Sequence, residues 1–349
     1  GDPTPTMAPA EETAPASGSD SPPTTSPAPS EESAPGESEQ AAPSGEDEPA
    51  PPPVPEPPPP PLLPEPSAPI PRVSNKPTLD DQADSGAMLA FYPALAEASP
   101  VTRAKLLSEE LHAKRNLPED CGEPLELGRC LAEISAEERP DLIAAYWRTA
   151  QASAKCEALA CQSNFLDDLV LTTFQRRHSP LGAEAMLDLR AAQLSVEADS
   201  LRAQLDLLDA QFELTRHADR PLDWPWLLPA TIPHSGPYLL DLEAQPRQVT
   251  GSWPLRRLAI VIPALAEGLR QRAGAVVLAD TARAAATSAY RDGCEQTVAV
   301  LDSIDRQTDQ TLAFLAALTE YNQAIAEYAL AVLPPTVPGD QLAQRLLTN

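Results

Sequence analysis

The sequence predicts an all-α protein: an elongated antiparallel four-helix coiled-coil assembly of two long helical hairpins, preceded by a disordered Pro-rich tail. Three observations predict it. Leu187, Ala191, Leu194, Ala198, Leu201, Leu205, Leu208, Phe212 and Thr215 follow one another by alternating steps of four and three, the a/d pattern of a left-handed coiled coil. Apolar stripes of helical period run through three further segments of roughly 35 residues each, about 50 Å of helix. All 15 aromatic residues lie at or beyond Phe91, a scarcity that favours long helices packed through Leu and Ala over a thick globular core.

The opening segment is a different polymer. Residues 1–80 hold 25 of the 42 prolines and 14 of the 51 acidic residues against only Arg72 and Lys76, so −12 of the net −26 lies there. Without aromatics and with few large apolar side chains, this stretch cannot bury enough surface to offset its ordering entropy. It reads as a disordered tether or solvating tail, with polyproline II favoured across Pro51–Pro61. Residues 81–139 follow as short helices and loops, around Met88–Ala96, Pro100–Leu117 and Leu125–Ile134.

The helical domain spans 140–335. Its first hairpin, 140–217, opens with a stripe through Ile143, Trp147, Ala150, Ala154, Ala158, Cys161, Phe165 and Leu169. Arg176 to Gly182 break the pair, Pro180 opening the next helix, and the heptad from Leu187 to Thr215 follows as the facing seam. A connector, 218–253, is rich in Pro, Trp and Gly, with Tyr238–Leu242 as one short strand candidate and Trp224 and Trp226 read as core. The second hairpin, 254–333, starts at Pro254 with Leu255, Leu258, Ile262, Leu265 and Leu269 inward, and Pro263 predicts a kink. Small residues from Ala273 to Ala286 suit close neighbours on more than one side, which points to oligomerisation. After Arg291-Asp292-Gly293 the last long helix carries Val298, Leu301, Ile304, Thr308, Leu315, Asn322, Ile325, Ala329 and Val332 inward until Pro334-Pro335 stop it, leaving 336–349 as a C-terminal tail.

Charge and composition exclude several functions. A chain this acidic, with no Lys/Arg stripe, opposes binding to nucleic acid. The longest apolar runs fall far short of the roughly 20 residues a membrane-spanning helix needs. No charged and apolar leader stands at the start, so the chain reads as cytosolic or as a mature form whose signal has been removed. Cys121, Cys130, Cys156, Cys161 and Cys294 show no C-x-x-C and no metal spacing with His112, His178, His217 and His234, so no metal or cofactor is expected. Cys121 and Cys130 are spaced to bridge a loop in an oxidising compartment, whereas Cys156 and Cys161 lie too far apart along one helix. No nucleophile motif or phosphate loop occurs, and the chain reads as non-enzymatic. Asp199, Asp206, Asp209 and Asp302 read as solvated faces, or as a cation-favouring lining if the helices enclose a lumen.

Tyr290-Arg291-Asp292-Gly293, then Val298 to Asp302 and Gln307, and the ending Leu318-Thr319-Glu320-Tyr321-Asn322-Gln323-Ala324-Ile325-Ala326-Glu327-Tyr328 resemble the last helical hairpin of the outer-membrane efflux protein family, the TolC-like channels. Leu187 to Leu214 with Arg220-Pro221-Leu222 is similar to the end of that family's first repeat, and the resemblance covers roughly residues 125–335. It implies a homotrimer in the cell envelope, in the periplasm or outer membrane, whose hairpin turns dock a membrane-fusion adaptor. The partner-binding tip would then be Tyr290, Arg291 and Gly293, with Arg177–Gly182 as its counterpart in the first hairpin. The family also contributes long β-strands to a membrane barrel, and no 9–11-residue alternating segment of that kind is visible in this sequence. The chain therefore reads as the helical tunnel portion of such a protein, taking part in efflux or export, with a coiled-coil envelope scaffold as the alternative.

Overall fold

The computed structural model describes residues 93–113, 122–174, 180–221, 226–240 and 252–347, all within one compact unit spanning residues 65–349. The N-terminal segment 1–80 expected to be disordered, Cys121, residues 175–179, Trp224 and Asp241-Leu242 lie outside the described residues. The fold is all-α, with a single short two-stranded sheet among the described residues. In chain order the elements are α1 (Pro93–Ala96), α2 (Pro100–Leu111), β1 (Glu123–Leu125), α3 (Leu127–Glu133), α4 (Arg139–Phe174), α5 (Pro180–His217), β2 (Leu227–Pro229), α6 (Trp253–Arg291), α7 (Thr297–Val332) and α8 (Gly339–Leu347).

Four long helices form the body. Antiparallel α4 and α5 make one hairpin and α6 and α7 the other, α4 packs along α7, α5 also reaches α7, and α2 packs on α6. Local chemistry sets the ends. Pro254 sits in the first turn of α6, where its missing N–H costs nothing. The extended backbone of Leu333, which precedes Pro334, ends α7. At the end of α5, Arg220 N–H reaches the Thr215 carbonyl (3.2 Å) and Asp219 N–H that of Arg216 (3.3 Å). This is a Schellman cap, with Asp219 at φ 50° in the position glycine usually takes. Pro263 is exposed and lies inside one continuous helix.

The inward stripe expected on α4 is buried or half-buried throughout, with Ile143, Trp147, Ala150, Ala154, Ala158 and Leu169 buried. The heptad expected as the inward face of α5 is mostly outward, with only Thr215 buried and Leu208 half-buried. Leu187 is 74% exposed, Leu194 52%, Leu201 53% and Phe212 47%, and the buried face runs instead through Leu189, Val196, Ala203, Leu207, Ala210 and Leu214. Both faces of α5 have heptad spacing, and pairing with α4 decides between them. Ala203 and Ala210 meet Ala152 and Cys156 in a cluster of small side chains that lets the backbones approach. Thr149 Oγ1 then lies 3.0 Å from the Ala210 carbonyl, Lys155 Nζ bonds Asp206 Oδ2 at 2.9 Å and Gln193 donates to Asp167 at 2.7 Å. On α7, Val298 is likewise exposed, while Ile304, Thr308, Leu315, Asn322, Ile325 and Ala329 are buried as expected.

The short elements close the end remote from the hairpin turns. Parallel β1 and β2 pair Glu123 with Leu227 and Leu125 with Pro229, whereas Tyr238–Leu240, within the expected strand, is irregular. Residues 336–349, set apart as a tail, include α8, which buries Leu342, Ala343 and Leu346 against α3. Gly339 makes that crossing feasible, because a Cβ there would stand 2.2 Å from the Leu131 carbonyl. Cys130 is a buried thiol whose pKa burial pushes up to about 12, and the expected Cys121–Cys130 bridge involves Cys121, which lies outside the described residues. Cys156 and Cys161 are also unbridged. No described helix is long and apolar enough to cross a membrane.

Candidate functional site

The α6–α7 turn is built by a Schellman motif. Cys294 N–H bonds the Ala289 carbonyl at 2.8 Å and Gly293 N–H bonds that of Tyr290 at 3.0 Å. This geometry puts Gly293 at φ 77°, where a side chain would be strained. Asp292 to Gln296 are all exposed, so the turn presents backbone and small polar groups outward.

Tyr290, one of the three residues expected at the tip, points inward. It is buried in a cluster with Leu166, Leu169, Leu189, Val196, Val300 and Ile304, and its hydroxyl lies 2.5 Å from Thr173 Oγ1 near the end of α4. Thr173 Oγ1 donates to the Leu169 carbonyl at 2.8 Å, so its remaining lone pairs accept from Tyr290. The bond ties the end of α6 to the end of α4. Arg291 is half-buried, and its charge bears on Asp168, whose carboxyl is held above the usual range by burial, with Arg291 opposing and Asp167 adding to the rise. The structure thus divides the predicted set: Gly293 is outward, Arg291 flanks it and Tyr290 anchors it from below. Of the counterpart Arg177–Gly182, only the start of α5 lies among the described residues.

Tyr321 and Asn322, from the second stretch that carries the sequence resemblance, sit far from this tip and hold the connector. Asn322 Oδ1 accepts from His234 N–H at 2.8 Å, and its Nδ2 donates to the carbonyls of His234 (2.9 Å) and Leu318 (2.8 Å). Tyr321 OH donates to the Gly236 carbonyl at 2.6 Å, and burial pushes its pKa up to about 12. His234 Nδ1 faces the Leu347 carbonyl at 3.0 Å, which requires the proton on Nδ1 and links the connector to the end of α8. Trp226, expected as core, is half-buried and packs on Phe212 at 4.8 Å between ring centroids.

Sequence reasoning missed a buried ion pair within α6, on the side that meets α4. Arg283 Nη2 bonds Asp280 Oδ1 at 2.9 Å, both side chains are almost fully buried, and the guanidinium lies 3.9 Å above the Phe165 ring of α4. The available signal was two opposite charges three apart on an otherwise alanine-rich face. Asp199, Asp206, Asp209 and Asp302 are exposed, in keeping with solvated faces. Nearby Asp305 accepts from Gln162 Nε2 at 2.9 Å. Its carboxyl is raised by burial first, then by Asp309, Asp302 and Asp199, while Gln162 opposes. Among the described residues no group of His, Cys, Asp and Glu is placed to hold a metal ion. Comparison of the chain with protein-family models, with curated proteins and with solved structures gives no match.

Proposed function

We propose that this chain is a non-enzymatic helical protein of the cell envelope, akin to the tunnel part of outer-membrane efflux proteins, which takes part in efflux or export as a homotrimer. It contacts a membrane-fusion adaptor through its hairpin turns. The observation that carries this reading is the Thr173–Tyr290 bond, which ties the end of α4 to that of α6 and leaves the Gly293 turn exposed beyond a buried base. A turn on a rigid scaffold is the usual place for recognition, since its backbone is open and its supports do not move. The adaptor contact rests on Gly293 and Arg291, with Tyr290 as the anchor that positions them.

The test is photo-cross-linking in the native host. A photoreactive residue replacing Glu295 should capture an adaptor from the envelope fraction, and Gly293→Trp should abolish capture while leaving the protein folded. Recovery of the full-length chain solely from the soluble cytosolic fraction, or Gly293→Trp without effect on capture, would sink the reading. Envelope localisation without any adaptor adduct would favour the scaffold alternative.

A further inference from the structure

The apolar core of the long helices is interrupted partway along. One cluster fills the end remote from the Gly293 turn and stops at Ala154 of α4, Val277 of α6 and Phe314 of α7. A second lies beneath the turn, starting at Leu166 of α4, Tyr290 of α6 and Ile304 of α7, with Leu189 and Val196 from α5. Between these limits the buried side chains of α6 and α7 are polar or no larger than alanine: Asp280 and Arg283 on α6, with Ala279 and Ala284, and Gln307, Thr308 and Thr311 on α7. On α4 they are Glu157, Ala158 and Gln162, while Cys156 and Leu159 join a separate cluster with α5. That cluster ends at Leu159 and Ala203, and Gln162 is the one described buried side chain between it and the next apolar positions, Leu166 and Val196. Gln162 Nε2 donates to Asp305 of α7 at 2.9 Å, and Arg283, paired with Asp280, covers the Phe165 ring of α4 one turn along. A polar belt therefore crosses α4, α6 and α7 at one level.

We infer that this belt divides the long helices into two cooperative units, and that the one carrying the Gly293 turn unfolds locally while the other stays folded. Contiguous apolar burial is what makes neighbouring segments fold together, and a buried ion pair comes near to breaking even against its desolvation cost. The belt thus adds little cohesion between the two cores. The units are also unequal. Beneath the turn seven buried apolar side chains hold four helix ends, whereas the remote core also receives Leu95 of α1, Leu107 of α2, Leu131 of α3 and Leu342 of α8. Local opening follows contiguous cores, and the smaller core opens at the lower free energy. The Thr173–Tyr290 bond lies in the smaller unit, so the base of the Gly293 turn forms and dissolves with that unit. The open form is a minor population, and the folded form keeps the turn supported. The inference rests on the break in the core and not on the adaptor contact.

Native-state amide exchange of the full chain tests it. Amides of Leu169, Val196, Val300 and Ile304 should exchange at least about 100-fold faster than those of Trp147, Leu269, Tyr321 and Ile325. Phe314→Ala, in the remote core, should speed the second set at least about 10-fold and leave the first unchanged, because local opening beneath the turn leaves the surroundings of Phe314 intact. If that variant does not fold, Phe314→Leu gives the same readout with a smaller acceleration. Equal protection of the two sets in the wild type, or equal acceleration of both in the variant, would mean a single unit and overturn the inference. In a second arm, Asp280→Leu with Arg283→Met carries apolar contact across the belt and should narrow the gap between the sets by about 10-fold. A gap of unchanged size would show that the belt is not the boundary and would overturn it as well. The Glu295 cross-link to an adaptor is read separately, so either proposal can fail while the other stands.

Discussion

The hydroxyl of Tyr290 and that of Thr173, on different hairpins and 117 positions apart, lie 2.5 Å from each other in a buried cluster. This contact ties the end of α4 to the end of α6, and it makes the base of the Gly293 turn a property of both hairpins.

Removing the bond should be felt as coupling across the hairpins. Tyr290→Phe and Thr173→Val are each expected to cost about 0.5–1.5 kcal/mol, the usual net worth of a hydrogen bond. In a double-mutant cycle by urea unfolding the pair should show a coupling of about 0.5 kcal/mol or more. Strict additivity would mean the bond does not hold the turns together.

Gly293→Ala should destabilise by about 1–2 kcal/mol, since φ 77° is strained for any residue with a Cβ. Amide exchange should accelerate first at Cys294, whose N–H closes the motif on Ala289. An unchanged thermal midpoint would count against the cap.

Asn322→Leu should be among the costlier single changes, about 2 kcal/mol or more, because it leaves the His234 N–H and carbonyl without their partner. Asn322→Asp keeps the shape and the acceptor for the His234 N–H but sets a carboxylate oxygen against the His234 and Leu318 carbonyls. It should cost nearly as much, and a stability equal to wild type would show that the amide does not clamp the connector.

The Asp280–Arg283 pair predicts rescue of one substitution by a second. Arg283→Met alone strands a buried carboxylate and should cost about 3–5 kcal/mol, whereas Asp280→Leu with Arg283→Met should recover most of that loss. Chemical denaturation of the three proteins decides it, and a double variant no better than the single would argue that the Arg283–Phe165 stack dominates.

Asp305 gives a pH signature. Its folded carboxyl is raised above its unfolded value, so the folded chain binds the extra proton between those two values. Its contribution therefore favours folding as pH falls through that window and is lost as pH rises through the folded value. Asp305→Asn should raise stability at neutral pH and flatten this part of the pH dependence, measured as thermal midpoint across the acidic range. A steeper acid profile in the variant would contradict the assignment.

Much of the helical layout was legible because it depends on local causes. Pro254, Gly293 and Pro334 mark helix ends by their own backbone restrictions, and the stripe on α4 is inward because that helix is buried on several sides between α5 and α7. The clamp of Asn322 on His234 was not legible, since the two are 88 positions apart and only the folded chain brings them together. Tyr290 was visible as a tip residue but not as an anchor, because its direction depends on where Thr173 ends α4.

The sequence by itself determined that these segments are helices, where they stop, and that they pair as two hairpins, since periodicity, caps and breakers act within a few residues. Only the tertiary structure decided which face of α5 is inside. Two heptads compete on that helix, and burial of small side chains against α4, with polar bonds such as Thr149 to Ala210, outweighs the larger leucines. Close backbone approach and its hydrogen bonds exist only when both helices are present, so the choice cannot be read from one helix alone.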